Sequence, residues 1–434
     1  MSLHSHSGSG AWNSGAGAGA AAAGIRPQDG QATANTPLKI GMVAGEPSGD
    51  LLASRIIQGI RGSAADAVCE GIGGPRMREQ GFDMRHPMHA LSVFGYVDAL
   101  KQLPRLLRIY GDTKKHWLRH RPDVFVGIDA PDFNLRLEHQ LRKAGVPTVH
   151  FVGPSIWAWR YERIHAIREA VSHMLVLFPF EEALYRKEGV PVTYVGHPLA
   201  SVIPRQADPL EARERLGIAA GARVLAMLPG SRSSEVKLLA PRFLQAVQRL
   251  QDQDPALVVA VPMVSEQRKH DFEQALRLHP IKNLHLVQQQ DGATRSDALV
   301  RPVAWDVLQA SDAVLVASGT ATLETALFKK PMVISYVLSP MMRRLMAWKS
   351  GQERPYVPWV GLPNVLANDF VVPELLQEEA TPDALAQATW KALTDAEHRA
   401  KVCAVFERLH ADLERDTPAL AAQAILREAG HGAG

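Results

Sequence analysis

The residues whose type and spacing suit chemistry lie in four short loops, each directly after an apolar run. In Ala44–Asp50 (AGEPSGD), Glu46, Ser48 and Asp50 place polar groups where a strand ends, and Gly49 permits a tight turn. The alternative is that Ser48 and Asp50 only cap the next helix. In Gly127–Asn134 (GIDAPDFN), Asp129 ends an apolar strand pattern. A carboxylate there can serve as a general base if it reaches the hydroxyl it deprotonates, or it can hold the loop by bonding its amides. In LPGSR, Gly230, Ser231 and Arg232 precede a helical pattern. A guanidinium at a helix amino end can clamp a phosphate, and the bland reading is a surface Arg paired with Glu235. In ASGTATLE, small residues Ser318, Gly319 and Thr320 let backbone amides approach an anion, and Glu324 can accept from a ribose hydroxyl. His150 and His197 are further candidate bases, although a lone His after a strand is more often structural.

Other chemistries lack their residues. There is no G-x-x-x-x-G-K-[ST], and no G-x-G-x-x-G follows a strand. There is no H-E-x-x-H and no cysteine cluster, so neither metal nor other cofactor is expected. A leaving diphosphate would then be neutralised by Arg232, helix amino ends and backbone amides.

Composition sets the frame for these loops. A chain of 434 residues with 46% hydrophobic and 21% charged residues is globular and long enough for two or three domains. Cys69 and Cys403 rule out a disulfide framework and fit a reduced, cytoplasmic setting. A net charge of +3 gives no global field for nucleic acid, and nucleic acid is not an expected partner. No apolar run reaches the roughly 18 residues of a membrane span. Two stretches suit a membrane surface: Lys101–Arg121, with seven Lys/Arg against Asp112 alone, and Leu338–Ser350. The alternative for each is a core-facing helix with a solvated basic side, the commoner case for a single such helix.

The elements that must position the loops alternate strand and helix. Residues 1–36 are a Gly/Ala/Ser-rich tail, expected to be disordered. Residues 37–200 carry one strand–helix run, and Tyr194–Ala212 reads as an irregular, Pro-rich linker. Residues 201–390 carry a second run, and 391–434 read as helical. This implies an α/β fold of two doubly wound parallel sheets, with ligands at the carboxyl ends of the strands.

Nine motifs in order resemble the lipid-A-disaccharide synthase family: AGEPSGD (44–50), GIGGPRM (71–77), FVGIDAPDFN (125–134), PSIWAWR (154–160), FPFE (178–181), VGHPLA (195–200), LPGSR (228–232), ASGTATLE (317–324) and LPNVLA (362–367). The resemblance implies a GT-B-like fold, two Rossmann-type domains facing a cleft with carboxyl-terminal helices packing back. It implies an inverting, metal-independent hexosyltransferase that joins UDP-2,3-diacylglucosamine to 2,3-diacylglucosamine 1-phosphate (lipid X). The products are the β-1,6-linked disaccharide 1-phosphate and UDP. It assigns Asp129 as the catalytic residue, Glu46, Ser48, Gly49 and Asp50 to the acceptor side, and Gly230, Ser231, Arg232, Ser318, Gly319, Thr320, Glu324 and Asn364 to the UDP-sugar. It places the protein on the cytoplasmic surface of the inner membrane, with acyl chains near Leu91–Tyr96, Leu103–Leu107 and Met341–Trp348, and it leaves a homodimer open. Pro47 and Gly153 depart from the family pattern, and 290–302 reads as an inserted surface loop. The rivals are another UDP-sugar enzyme of this fold, such as a 2-epimerase, and a non-catalytic membrane-associated UDP-sugar-binding protein.

Overall fold

Short runs of Val, Ile, Leu and Ala form strands buried on both faces, as in β4 (Val124–Ile128), β8 (Val224–Leu228) and β11 (Ala313–Ala317). The structure is a computed structural model that describes residues 37–91, 96–288, 301–344 and 356–430, with backbone alone for 96–102. The tail and the stretch at 290–300 lie outside the described residues.

The first sheet holds β1 (Lys39–Ala44), β2 (Val68–Gly73), β3 (Asp83–Pro87), β4, β5 (Thr148–Phe151), β6 (His173–Val176) and β7 (Val192–Tyr194), in the order β3-β2-β1-β4-β5-β6-β7. The second holds β8, β9 (Val258–Met263), β10 (Leu284–Gln288), β11, β12 (Met332–Tyr336) and β13 (Glu374–Leu376), in the order β10-β9-β8-β11-β12-β13. All pairings are parallel. Strand order reverses direction between β1 and β4 in one sheet and between β8 and β11 in the other. Those two positions are where an open parallel sheet leaves a crevice at its carboxyl edge.

Two sequence expectations change. The Tyr194–Ala212 stretch is not irregular throughout: it holds helix Pro198–Val202 and the start of helix Pro209–Leu216. Each starts on a proline, which suits the first helical position, and His197 and Asp208 cap them by accepting from the Leu199 and Leu210 amides. Strands β2, β3, β7 and β13 are additional to those read from the sequence. Asp83–Pro87 (DMRHP), for example, has no apolar alternation to mark it.

The last two helices divide between the sheets. Val402, Phe406, Leu409 and Leu413 of Ala396–Leu413 pack with β8, β11 and β12 side chains. Ala421, Ala422, Ile425 and Leu426 of Thr417–Glu428 return to the first sheet, against Ile40, Ile56, Ile57 and Ile60. The helix at 417–428 therefore completes the core of the half that the chain left before residue 200.

Candidate active site

Register places the AGEPSGD and IDAPDFN loops together. Ala44 pairs with Ile128, and Ile128 with Phe151, so the loops after β1, β4 and β5 leave one edge side by side. Asp129 and Ala130 both adopt the left-handed region, at φ 52° and 43°. Two consecutive non-glycine residues there cost about 1–3 kcal/mol each, a strain that persists only where the surroundings enforce it. The Asp129 amide donates to Phe151 O at 2.9 Å, and its carbonyl accepts from Asn134 Nδ2 at 2.7 Å. Its carboxylate is half-buried and receives no hydrogen bond from any described residue.

Beside this turn opens a cavity of about 670 Å³. Gly45, Glu46, Ala130 and Pro131 line it from the two loops. Leu91, Leu103, Leu106, Leu107, Tyr110 and Phe133 supply an apolar wall, with Tyr110 and Phe133 edge to face at 5.6 Å. The basic helix Tyr96–Arg119 thus has two fates along its length. Ile109 and Trp117 are core residues, whereas Leu103 (46% exposed) and Leu107 (60%) face the cavity and solvent. In the other basic stretch Met341 is exposed, and residues 345–350 lie outside the described residues.

Glu46 is the exposed cap of the Pro47–Ser63 helix, with extended backbone at φ −136° and ψ 160°. Pro47 occupies the first helical position, so the restriction it puts on Glu46 is the conformation a cap needs. Ser48 is exposed in the first turn, and Gly49 is buried against Ala44 and Ile128. Asp50 corrects expectation: it is 2% exposed and does not open onto the cleft. Its Oδ1 accepts from the Gly74 and Met77 amides (2.9 and 3.1 Å) and its Oδ2 from Arg76 N (3.0 Å). Asp50 holds the GIGGPRM loop. The signal was present, since Asp50 shares the apolar face of Ala53, Ile57 and Ile60.

In the second sheet Leu228 pairs beside Val316, so LPGSR and SGT leave adjacent strand ends. The Glu235 carboxylate accepts from the Ser231 and Arg232 amides (3.1 and 3.2 Å) through Oε2 and from Arg232 Nη1 (3.3 Å) through Oε1. Gly230, at φ 123°, is required there: a Cβ would lie 2.5 Å from Glu235 Cβ. The paired reading of Arg232 is therefore realised, yet its side chain remains 78% exposed. At the neighbouring loop, Ser318 N donates to Ser335 O, and Gly319 and Thr320 are exposed at the start of the Thr320–Leu327 helix. Glu324 Oε2 accepts from Trp305 Nε1 at 3.1 Å, and burial raises its carboxyl above the ordinary range against that bond.

Asn364 is fully buried and saturated. Its Nδ2 donates to Val372 O and Glu374 Oε1, and its Oδ1 accepts from the Val371 and Val372 amides. Its amide has no capacity left for a donor sugar. It fixes the LPN turn that Glu374 also grips through Val360 N and Gly361 N.

Both candidate histidines are buried. His150 has no exposure and lies against Glu138. His197 is 8% exposed and stacks on Phe178 at 5.6 Å, and burial lowers its pKa to about 4. Sequence reading missed Trp305 and Glu374, whose partners are 19 and 10 residues away, and recognised Glu235 only as a surface partner. Among the described residues no helix is long and apolar enough to cross a membrane.

Comparison with known proteins extends these observations. A model of the family described as lipid-A-disaccharide synthetase matches residues 40–426. Lipid-A-disaccharide synthase of Bordetella avium is 67% identical, covering 92% of this chain and all of that protein. The Bordetella pertussis protein of the same name is 69% identical, covering 90% of this chain and 98% of its own. Among solved structures, the Neisseria meningitidis UDP-GlcNAc 2-epimerase bound to UDP-GlcNAc has a TM-score of 0.53 at 11% identity, covering 90% and 99% of the two chains. The calicheamicin glycosyltransferase CalG4 has a TM-score of 0.54 at 14% identity, covering 92% and 100%. These structural likenesses establish a GT-B-like α/β fold and nothing finer.

Proposed function

This chain belongs to the lipid-A-disaccharide synthetase family, and from that premise we propose which residues carry the reaction and how. The protein is a glycosyltransferase that forms the lipid A disaccharide from a UDP-sugar and lipid substrates. The epimerase likeness is one of fold at 11% identity, whereas membership rests on 67–69% identity across the chain.

In the proposed chemistry, UDP-2,3-diacylglucosamine lies at the carboxyl edge of β8 and β11. The Arg232 guanidinium and the amino end of the Thr320–Leu327 helix take the diphosphate charge, and Oε1 of Glu324 accepts from the ribose. Lipid X lies at the edge of β1 and β4. Asp129 removes the proton from its 6-hydroxyl. That oxygen forms a bond to the anomeric carbon opposite UDP, the bond from that carbon to the diphosphate oxygen breaks, and the electron pair leaves with UDP. Attack from the opposite face inverts the configuration to β, through an oxocarbenium-like state by analogy with glycosidases. The single observation that carries this reading is the Asp129 carboxylate, without a hydrogen-bond partner among the described residues, on a strained turn beside a leucine-lined cavity. The cavity wall suits acyl chains. Asp50 and Asn364 serve the site by holding the loops around it.

The test is direct: purified protein, a chelator, UDP-2,3-diacylglucosamine and lipid X, with UDP and disaccharide followed by mass spectrometry. Equimolar disaccharide and UDP is the expected result. UDP binding without disaccharide would refute the synthase reading.

Exposed Leu103 and Leu107 on a helix rich in basic residues support a proposed membrane contact. The protein is expected to sit peripherally on an anionic surface, the cytoplasmic face of the inner membrane. Each basic residue near such a surface contributes about 1 kcal/mol, so replacing Arg105, Arg108, Lys114 and Lys115 together by Ala should weaken binding by up to roughly three orders of magnitude. Unchanged sedimentation with vesicles containing anionic phospholipid would exclude this helix as the contact.

A further inference from the structure

Beneath the Asp129 turn lies a buried polar cluster that the reaction as written does not use. Asn134, Glu138 and His150 are each 0% exposed. Asn134 and Glu138 are one turn apart on the Pro131–Lys143 helix, on the same face as Leu141. His150 is the register partner of Gly127 on the neighbouring strand. Its Nδ1 lies 2.8 Å from Glu138 Oε1. Gly127 has no side chain because the cluster occupies that space: a Cβ there would lie 2.1 Å from Glu138 Oε1 and 2.9 Å from Asn134 Cβ.

Asn134 reaches upward from this cluster. Its Nδ2 lies 2.7 Å from Asp129 O, 3.3 Å from Ile128 O and 3.5 Å from Val43 O. One amide thus gathers the ends of β1 and β4 and the first residue of the strained turn. Asn134 Oδ1, Glu138 Oε2 and His150 Nε2 have no partner among the described residues. A buried polar group left unpaired destabilises, and apolar side chains of similar volume often do better than a buried charged pair. Stability alone does not account for three polar side chains at the base of one turn. Local rules are broken where function requires it.

We propose that Asn134, set among the buried Glu138 and His150 side chains, is the positioning residue for Asp129, holding the left-handed turn so that the carboxylate faces the acceptor hydroxyl. The inference rests on the reading of Asp129 as the base. Asn134 itself touches no substrate. Its removal lets the strained turn relax, and a displacement of about 1 Å at a reacting group can cost on the order of a hundredfold in rate.

The experiment compares wild type, Asn134→Ala, Asp129→Asn and the double variant by kcat and KM in the coupled disaccharide assay, with thermal unfolding of each. Asn134→Ala is expected to lower kcat by roughly thirty- to a hundredfold with KM nearly unchanged, and to lower it no further in the Asp129→Asn background. Equal losses in both backgrounds, or a KM effect alone, would show that Asn134 acts on the fold and not through Asp129, and would overturn the inference. An active Asp129→Asn protein would instead overturn the base assignment, and the two failures are distinct. Should Asn134→Ala not fold, Asn134→Ser keeps one donor below the turn; it is expected to show a smaller loss with the same non-additivity, and an additive loss would again refute the role.

Discussion

Asp129→Asn is expected to lower kcat by about 10²–10⁴-fold, the range associated with a positioned general base, while UDP still binds. The substitution isolates the chemistry. Asn is among the residues most tolerant of the left-handed conformation, so the turn at φ 52° is retained. The carboxylate receives no hydrogen bond from a described residue, so a neutral amide of equal size leaves no described partner behind. Melting temperature and KM are therefore expected to stay near wild type. Disaccharide formation at more than a tenth of the wild-type rate would remove Asp129 from the role. Burial of His150 and His197 would then leave Glu46, which is exposed and lines the same cavity, as the group to replace next.

Arg232→Ala is expected to lower kcat/KM by about 10²–10³-fold, the effect of removing one charge-stabilising donor from a leaving group. Arg232→Lys should recover little, because a point charge does not reproduce a planar, two-pronged donor. The stability cost should be small. The pair with Glu235 is 78% exposed on the arginine side, and exposed pairs contribute at most about 1 kcal/mol. The other Glu235 oxygen still accepts from the Ser231 and Arg232 amides, so the loop keeps its shape. Steady-state kinetics with varied UDP-sugar, beside calorimetry of UDP binding, would check this. Activity within threefold of wild type would reduce Arg232 to a partner of Glu235.

Much of the architecture could be read along the chain. Alternating apolar runs and helical patterns imply parallel sheets, and loops at strand carboxyl ends then hold the chemistry. Asp129 follows β4 directly, and Arg232 and Gly319 lie in the loops that leave β8 and β11, so their neighbourhood was legible from strand recognition alone. The Tyr194–Ala212 stretch was not legible in form, because its helices are short and begin at prolines that also mark loops. Asp50, Asn134 and Glu138 show a readable signal that went unused. Each is polar on a face otherwise occupied by apolar side chains, which marks inward placement.

Sequence by itself determined the strand–helix alternation, the order of the loops and the residue types that can bear a proton or bind a phosphate, because these depend on local periodicity and on side-chain chemistry. Tertiary structure decided which polar groups face solvent and which hold the frame. Asp50 turns to amides 24 to 27 positions away, Asn364 spends its amide on the 371–374 segment, and the final helix crosses back to cover the first sheet. The physical reason is that a buried polar group must be satisfied by whatever backbone the fold brings near it, and register between distant strands, not sequence neighbourhood, sets what that is.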